Sequence, residues 1–112
     1  MDFENGQLTL KLLKDATADS STNIAYLDAK QIEFPLILRK WKTGDYFYPL
    51  GMKKKKKISR FLIDQKISKT GKEKVWVIEM NKKIIWVVGL RIDERFKISP
   101  ATNQTLRITL SE

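Results

Sequence analysis

Residues 75–88 read VWVIEMNKKIIWVV, two apolar runs rich in β-branched side chains and Trp, parted by one short polar stretch at Asn81, Lys82 and Lys83. Such runs predict a β-hairpin with a three-residue connection. A strand with one wet face alternates apolar and polar residues, whereas these runs are apolar at nearly every position. Both faces of the hairpin are therefore expected to be covered. That requires a layer on each side, and Trp76 and Trp86 read as packing residues because an indole buries a large area.

Working outward, residues 7–13 begin as an alternating strand through Leu8, Leu10 and Leu12. Residues 15–23, with their Ser-Ser-Thr-Asn cluster, form a break. Residues 24–28 are a short strand, residues 36–41 a stronger one beginning after Pro35, and residues 106–110 a last alternating strand. Thr43, Gly44 and Asp45 make a turn, and the aromatic stretch 46–52, bounded by Gly and Pro, reads as a shaped loop. One principal helix is predicted over about 57–66. At 100° per residue Ile58, Phe61, Leu62 and Gln65 share a face, with Arg60 and Asp64 opposite. Residues 68–74 are read as a loop, and Gly44, Gly51 and Gly89 as positions of positive φ. The expected fold is a single β-rich α+β domain over residues 1–112.

The charge is unevenly placed. Of the formal +9, residues 39–74 carry thirteen Lys or Arg against three acids, a local +10, and the remainder sums to −1. Trp41, Tyr46, Phe47 and Tyr48 lie in the same third of the chain. Clustered cations neutralise phosphates and release counterions, and aromatic rings stack on bases, so a nucleic acid is the natural partner. The charge itself names no base. The competing reading is that surface lysines only keep a small domain soluble. For Trp41, Tyr46, Phe47 and Tyr48, core packing competes with base stacking. A membrane anchor is disfavoured, because the lysines at 53–57 are consecutive and point all round a helix instead of opposing an apolar face. No apolar run approaches the roughly 20 residues of a membrane span, and the acidic start Met1-Asp2-Phe3-Glu4 is unlike a secretory signal, so a cytoplasmic location is expected.

The absence of Cys removes disulfides and thiolate chemistry, and the absence of His removes imidazole general bases and the usual zinc sites. Neither a phosphate-binding GxxxxGK[ST] loop nor GxGxxG is present. Asp45, Asp64, Asp93 and Glu94 are scattered or adjacent, too dispersed to argue for a two-metal nuclease. Asp93 and Glu94, set between Arg91 and Arg95, read as local ion pairs. No catalytic residue, metal ligand or cofactor is expected in this domain.

Two ordered motifs carry a family resemblance. The strings FPLILR (34–39), WKTGDYFYPLGM (41–52) and, after the lysines, FLIDQKI (61–67) come first, and IWVVGLRIDERF (85–96) follows. Together they resemble the C-terminal domain of tRNA(Ile)-lysidine synthetases over residues 25–110. In that family the full enzyme uses ATP with magnesium to adenylate the wobble cytidine of an isoleucine tRNA, and lysine then displaces AMP to give lysidine. Its catalytic loop, SGGxDS, is missing here, so the resemblance implies a domain inactive alone. It further implies a grip on the tRNA toward the acceptor stem, the catalytic domain of the same chain as partner, and a sandwich-like sheet arrangement similar to a domain of the phenylalanyl-tRNA synthetase β subunit.

Arg39, Gly44, Asp45, Pro49, Gly51, Met52, Asp64, Lys66, Gly89, Arg91, Asp93 and Arg95 match the family pattern, while Tyr46 and residues 69–74 depart from it. The expected tRNA-binding set is Arg39, Lys40, Lys42, Lys53, Lys54, Lys55, Lys56, Lys57, Arg60, Lys66, Arg91 and Arg95. The alternative is an intramolecular docking or subunit-interface module whose lysines only solubilise it.

Overall fold

The computed structural model describes residues 1–14 and 21–112. In chain order the elements are β1 (Asp2–Phe3), β2 (Gly6–Leu13), β3 (Ile24–Asp28), β4 (Ile37–Lys40), β5 (Tyr46–Phe47), β6 (Lys56–Lys57), α1 (Ile58–Asp64), α2 (Lys69–Lys72), β7 (Trp76–Met80), β8 (Lys83–Val87), β9 (Arg91–Ile92) and β10 (Thr105–Ser111). Short 3-10 turns lie at Ala29–Gln31 and Glu94–Phe96. One four-stranded sheet has the order β1-β2-β10-β3 and a second the order β4-β7-β8-β9, while β5 and β6 form a separate ribbon. All the strand pairs are antiparallel. Residues 15–20 of the expected break lie outside the described residues.

The hairpin of β7 and β8 is the middle layer, covered on both faces as its apolar character requires. Toward the first sheet, Ile78, Met80, Ile85 and Trp86 pack with Leu8, Ala25, Leu27, Leu106 and Ile108. On the opposite face, Val77, Ile84 and Val87 pack with Phe47 of β5 and with Ile58, Phe61 and Leu62 of α1. The rings of Phe47 and Phe61 meet edge to face at 5.0 Å. The arrangement is a sandwich of two sheets with a helix and ribbon laid over the outer face.

A bulge makes this double coverage possible. Ile78 stands opposite Trp86, but Glu79 stands opposite Ile84, leaving Ile85 as the extra residue. A bulge sends two consecutive side chains to one side. Ile85 and Trp86 both enter the inner core, and Ile84 and Val87 are left for the outer one.

Four local expectations need correction. The hairpin connection is two residues, Asn81 and Lys82, both left-handed (φ 48° and 65°), because Lys83 pairs with Met80. Two-residue turns of this hand match the strand twist. The helix ends at Asp64, not Lys66, and Gln65 is exposed. Lys66 adopts φ 58°, its N–H donates to the Ile63 carbonyl, and that of Ile67 donates to the Leu62 carbonyl. This is a Schellman cap with lysine where glycine is usual. Within the expected loop 68–74, Ser68 caps the single turn α2 by accepting from the Gly71 N–H at 2.9 Å. In the stretch 46–52, Tyr46 and Phe47 form β5 before the loop begins.

Candidate nucleic-acid interface

The five-lysine run crosses the outer layer and is anchored at both ends. At its far end, Lys57 and Lys56 pair with Tyr46 and Phe47, and the Ile58 N–H donates to the Asp45 carbonyl at 2.9 Å. Buried Phe47 and Ile58 hold that end against the middle sheet. Before the run, the Leu50 N–H donates to the Ile92 carbonyl at 3.1 Å and the Gly51 N–H to Glu94 Oε1 at 2.9 Å. Lys53, Lys54, Lys55 and Lys57 are exposed, whereas Lys56 is half-buried and ion-paired with Asp64. Arg60 is exposed and reaches the same carboxylate at 3.5 Å. Lys56 foremost, with help from Arg60, holds the Asp64 carboxyl below its ordinary pKa.

Asp93 fastens the near end. Fully buried, it accepts from the Tyr48 N–H at 2.9 Å, the Arg95 N–H at 2.8 Å, and Arg95 Nε and Nη2 at 3.0 and 2.9 Å. The bond to Asp93 raises the Arg95 pKa, and the Arg95 guanidinium lies 4.4 Å from the Tyr48 ring centroid. Arg91 lies 5.3 Å from the Phe61 ring centroid. Both arginines belong to the expected binding set, and Arg95 is in addition a structural cation, paired with buried Asp93.

Arg39 has a similar double character. Its guanidinium forks onto Asp45 at 2.9 and 3.0 Å and also donates to Glu79 at 2.8 Å. Burial pushes the Asp45 carboxyl up, yet the bonds from Arg39 and from the Lys42 N–H outweigh it and bring its pKa below the ordinary 3.8. The stabilisation belonging to a lowered carboxyl pKa is fully present above 3.8 and lost as pH falls through the folded-state value. At pH 6, Asp45→Asn is therefore expected to lower the urea midpoint. At pH 3 the gap from the native protein narrows, which parallel urea titrations would measure.

Lys40 goes the other way. Adjacent strand residues face opposite sides, so Lys40 leaves the outer layer, pairing with Glu4 at 3.4 Å and lying 5.9 Å from the Trp76 ring centroid. Lys42 lines a pocket of about 350 Å³ with Arg39, Tyr46 and Lys82. Lys82 was not among the expected site residues, having been read only as a turn residue. Lys66, exposed, stands beyond the end of α1.

Among the aromatics, Phe47 is buried, and half-buried Trp41 packs against the outer core while its Nε1 donates to the Lys72 carbonyl at 2.7 Å. Tyr46 is 46% exposed, with Lys55 Nζ 4.8 Å from its ring centroid. It is an accessible flat ring within the basic layer. Asp45 and Asp64 are each held by cations, and among the described residues no group of three or more metal-ligating side chains occurs.

Comparison with known proteins places this geometry. Residues 36–109 match the model of a family described as the TilS substrate C-terminal domain. The tRNA(Ile)-lysidine synthase of Parabacteroides distasonis is 45% identical over 92 residues, covering 82% of this chain and 21% of that protein. The corresponding enzyme of Bacteroides thetaiotaomicron is 42% identical, covering 73% and 19%. The chain thus spans about a fifth of the length of these curated relatives. A crystal structure of a TilS C-terminal domain superposes with TM-score 0.78 at 17% identity, covering 91% of this chain and 80% of that one. An N-terminal fragment of the phenylalanyl-tRNA synthetase β subunit from Pyrococcus horikoshii gives 0.64 at 14% identity, covering 76% and 27%. Those two likenesses bear out the expected sheet arrangement.

Proposed function

This chain belongs to the TilS substrate C-terminal domain family, and we propose that it is the noncatalytic tRNA-recognition domain of a longer tRNA(Ile)-lysidine synthase. The parent enzyme joins lysine to the wobble cytidine of an isoleucine tRNA with ATP and magnesium, handled by a catalytic domain elsewhere in the same protein, in the cytoplasm. This domain grips the tRNA on its acceptor-stem side. The observation that carries the reading is the anchored lysine loop, whose exposed Lys53, Lys54, Lys55 and Lys57 project from a fixed layer beside Arg91 and Tyr46. Stems of A-form RNA are recognised by shape and by phosphate and 2′-hydroxyl contacts, for which a rigid basic surface suffices.

The test is a titration of the chain with a labelled isoleucine tRNA and with its acceptor-stem minihelix. Changing all five of Lys53, Lys54, Lys55, Lys56 and Lys57 to Ala is expected to weaken both by about a hundredfold, the scale of removing several phosphate contacts. Equal, negligible binding by both proteins would overturn the reading.

One observation favours a second reading, docking within the parent enzyme. Leu10 and Leu12 of β2 are 43% and 55% exposed. Deleting the domain from the parent enzyme separates the two readings: weaker tRNA binding with intact use of ATP and lysine supports recognition, and loss of every activity supports docking.

A further inference from the structure

Next to the tether of the lysine loop lies a pocket of about 400 Å³, within the usual range for small-ligand sites. Tyr26 comes from β3, Leu90 and Ile92 from around β9, and Ile98 from the segment beyond, with buried Trp86 as floor. Arg91 and Lys97 also line it, so apolar walls meet two cations. Among the described residues no carboxylate pairs with Arg91, whose guanidinium rests on Phe61. Lys97 is tied to Glu94 at 2.5 Å, and Glu94 also holds the Gly51 N–H that starts the lysine loop. Leu50, 43% exposed, lines the pocket and lies in the same tether. The pocket therefore opens beside the basic surface.

An occupant that matches these walls is apolar on its faces and anionic at one end, and Leu50 places it next to the surface proposed for RNA. Resting on the tRNA reading above, we propose that the pocket takes one unpaired nucleotide of the bound RNA. The base enters among Tyr26, Leu90 and Ile98 above Trp86, and its phosphate meets Arg91, the lining cation without a carboxylate partner among the described residues. Base-paired stem nucleotides cannot enter, so the pocket reads the presence of a single-stranded end or bulge, as single-strand binders do by combining stacking with charge.

The probe is a stem-loop RNA with a three-nucleotide single-stranded 3′ extension, compared with the same RNA whose extension is abasic, so that the phosphates are equal and only bases differ. The native chain is expected to bind the base-bearing RNA about tenfold more tightly, in the lower half of the range that one stacked base supplies. Ile98→Trp, which fills the pocket, brings that ratio to about one while leaving affinity for the abasic RNA unchanged. A second measurement needs no variant: methyl resonances of Leu90, Ile92 and Ile98 shift on adding the base-bearing RNA and not the abasic one. Tight, equal binding of both RNAs without methyl shifts overturns the pocket and leaves the lysine-loop reading standing; failure of both RNAs to bind overturns both readings.

Discussion

Asp93→Ala is expected to destabilise the domain by about 3 kcal/mol, the low end of the cost of breaking a buried ion pair. The carboxylate is fully buried and receives four hydrogen bonds, two of them from main-chain N–H groups. Its removal strands the Tyr48 N–H and frees a cation that has no other carboxylate partner among the described residues. Arg95 retains 32% side-chain exposure, so water recovers part of its solvation and the low end applies. For a domain of this size the loss corresponds to a drop of about 12 °C in Tm. Urea unfolding with an unchanged m-value would establish that the native fold survives. Asp93→Asn, which keeps an acceptor but loses the charge, should fall between the two. A loss under about 1 kcal/mol for the Ala variant would mean that Asp93 does not hold the 48–51 segment in place.

The same residue shows where sequence reading stops. Asp93 and Glu94 were expected to pair with Arg91 and Arg95; Asp93 does pair with Arg95, whereas Glu94 pairs with Lys97 and Arg91 rests on Phe61. What one dimension hides is that Asp93 also binds Tyr48, 45 residues away. Likewise Arg39 counts as one more cation in a basic stretch until folding brings Glu79, 40 residues on, against it. Net charge reports how many cations a segment carries and not which of them already have partners.

The double-faced hairpin was legible because burial on both sides leaves a continuous apolar run, a pattern local to each strand. The bulge at Ile85 was not, since an extra residue in such a run disturbs no alternation that could be seen. Neither was the end of α1, where Lys66 takes the left-handed position ordinarily marked by glycine. The pocket around Tyr26, Leu90 and Ile98 is assembled from separate segments, none of which has a signature of its own.

Binding of tRNA to this chain should weaken by about two decades between roughly 50 and 200 mM salt. Each phosphate contact contributes a slope of about −0.9 on a logarithmic salt axis for a duplex, and that interval spans about 0.6 of a decade. Four lysines, Lys53, Lys54, Lys55 and Lys57, are exposed in the run, and Lys56 is held by Asp64. Four contacts therefore give about 2.2 decades, whereas the whole run would give about 2.7. Changing those four lysines to Ala should flatten the dependence to a fraction of a decade. Arg39→Ala makes the informative contrast: its guanidinium is occupied by Asp45 and Glu79, so the variant loses stability but keeps the salt slope wherever it remains folded. If Arg39→Ala flattened the slope and the lysine variant did not, phosphate contact would lie on the β4 side of the outer layer and not on the anchored loop.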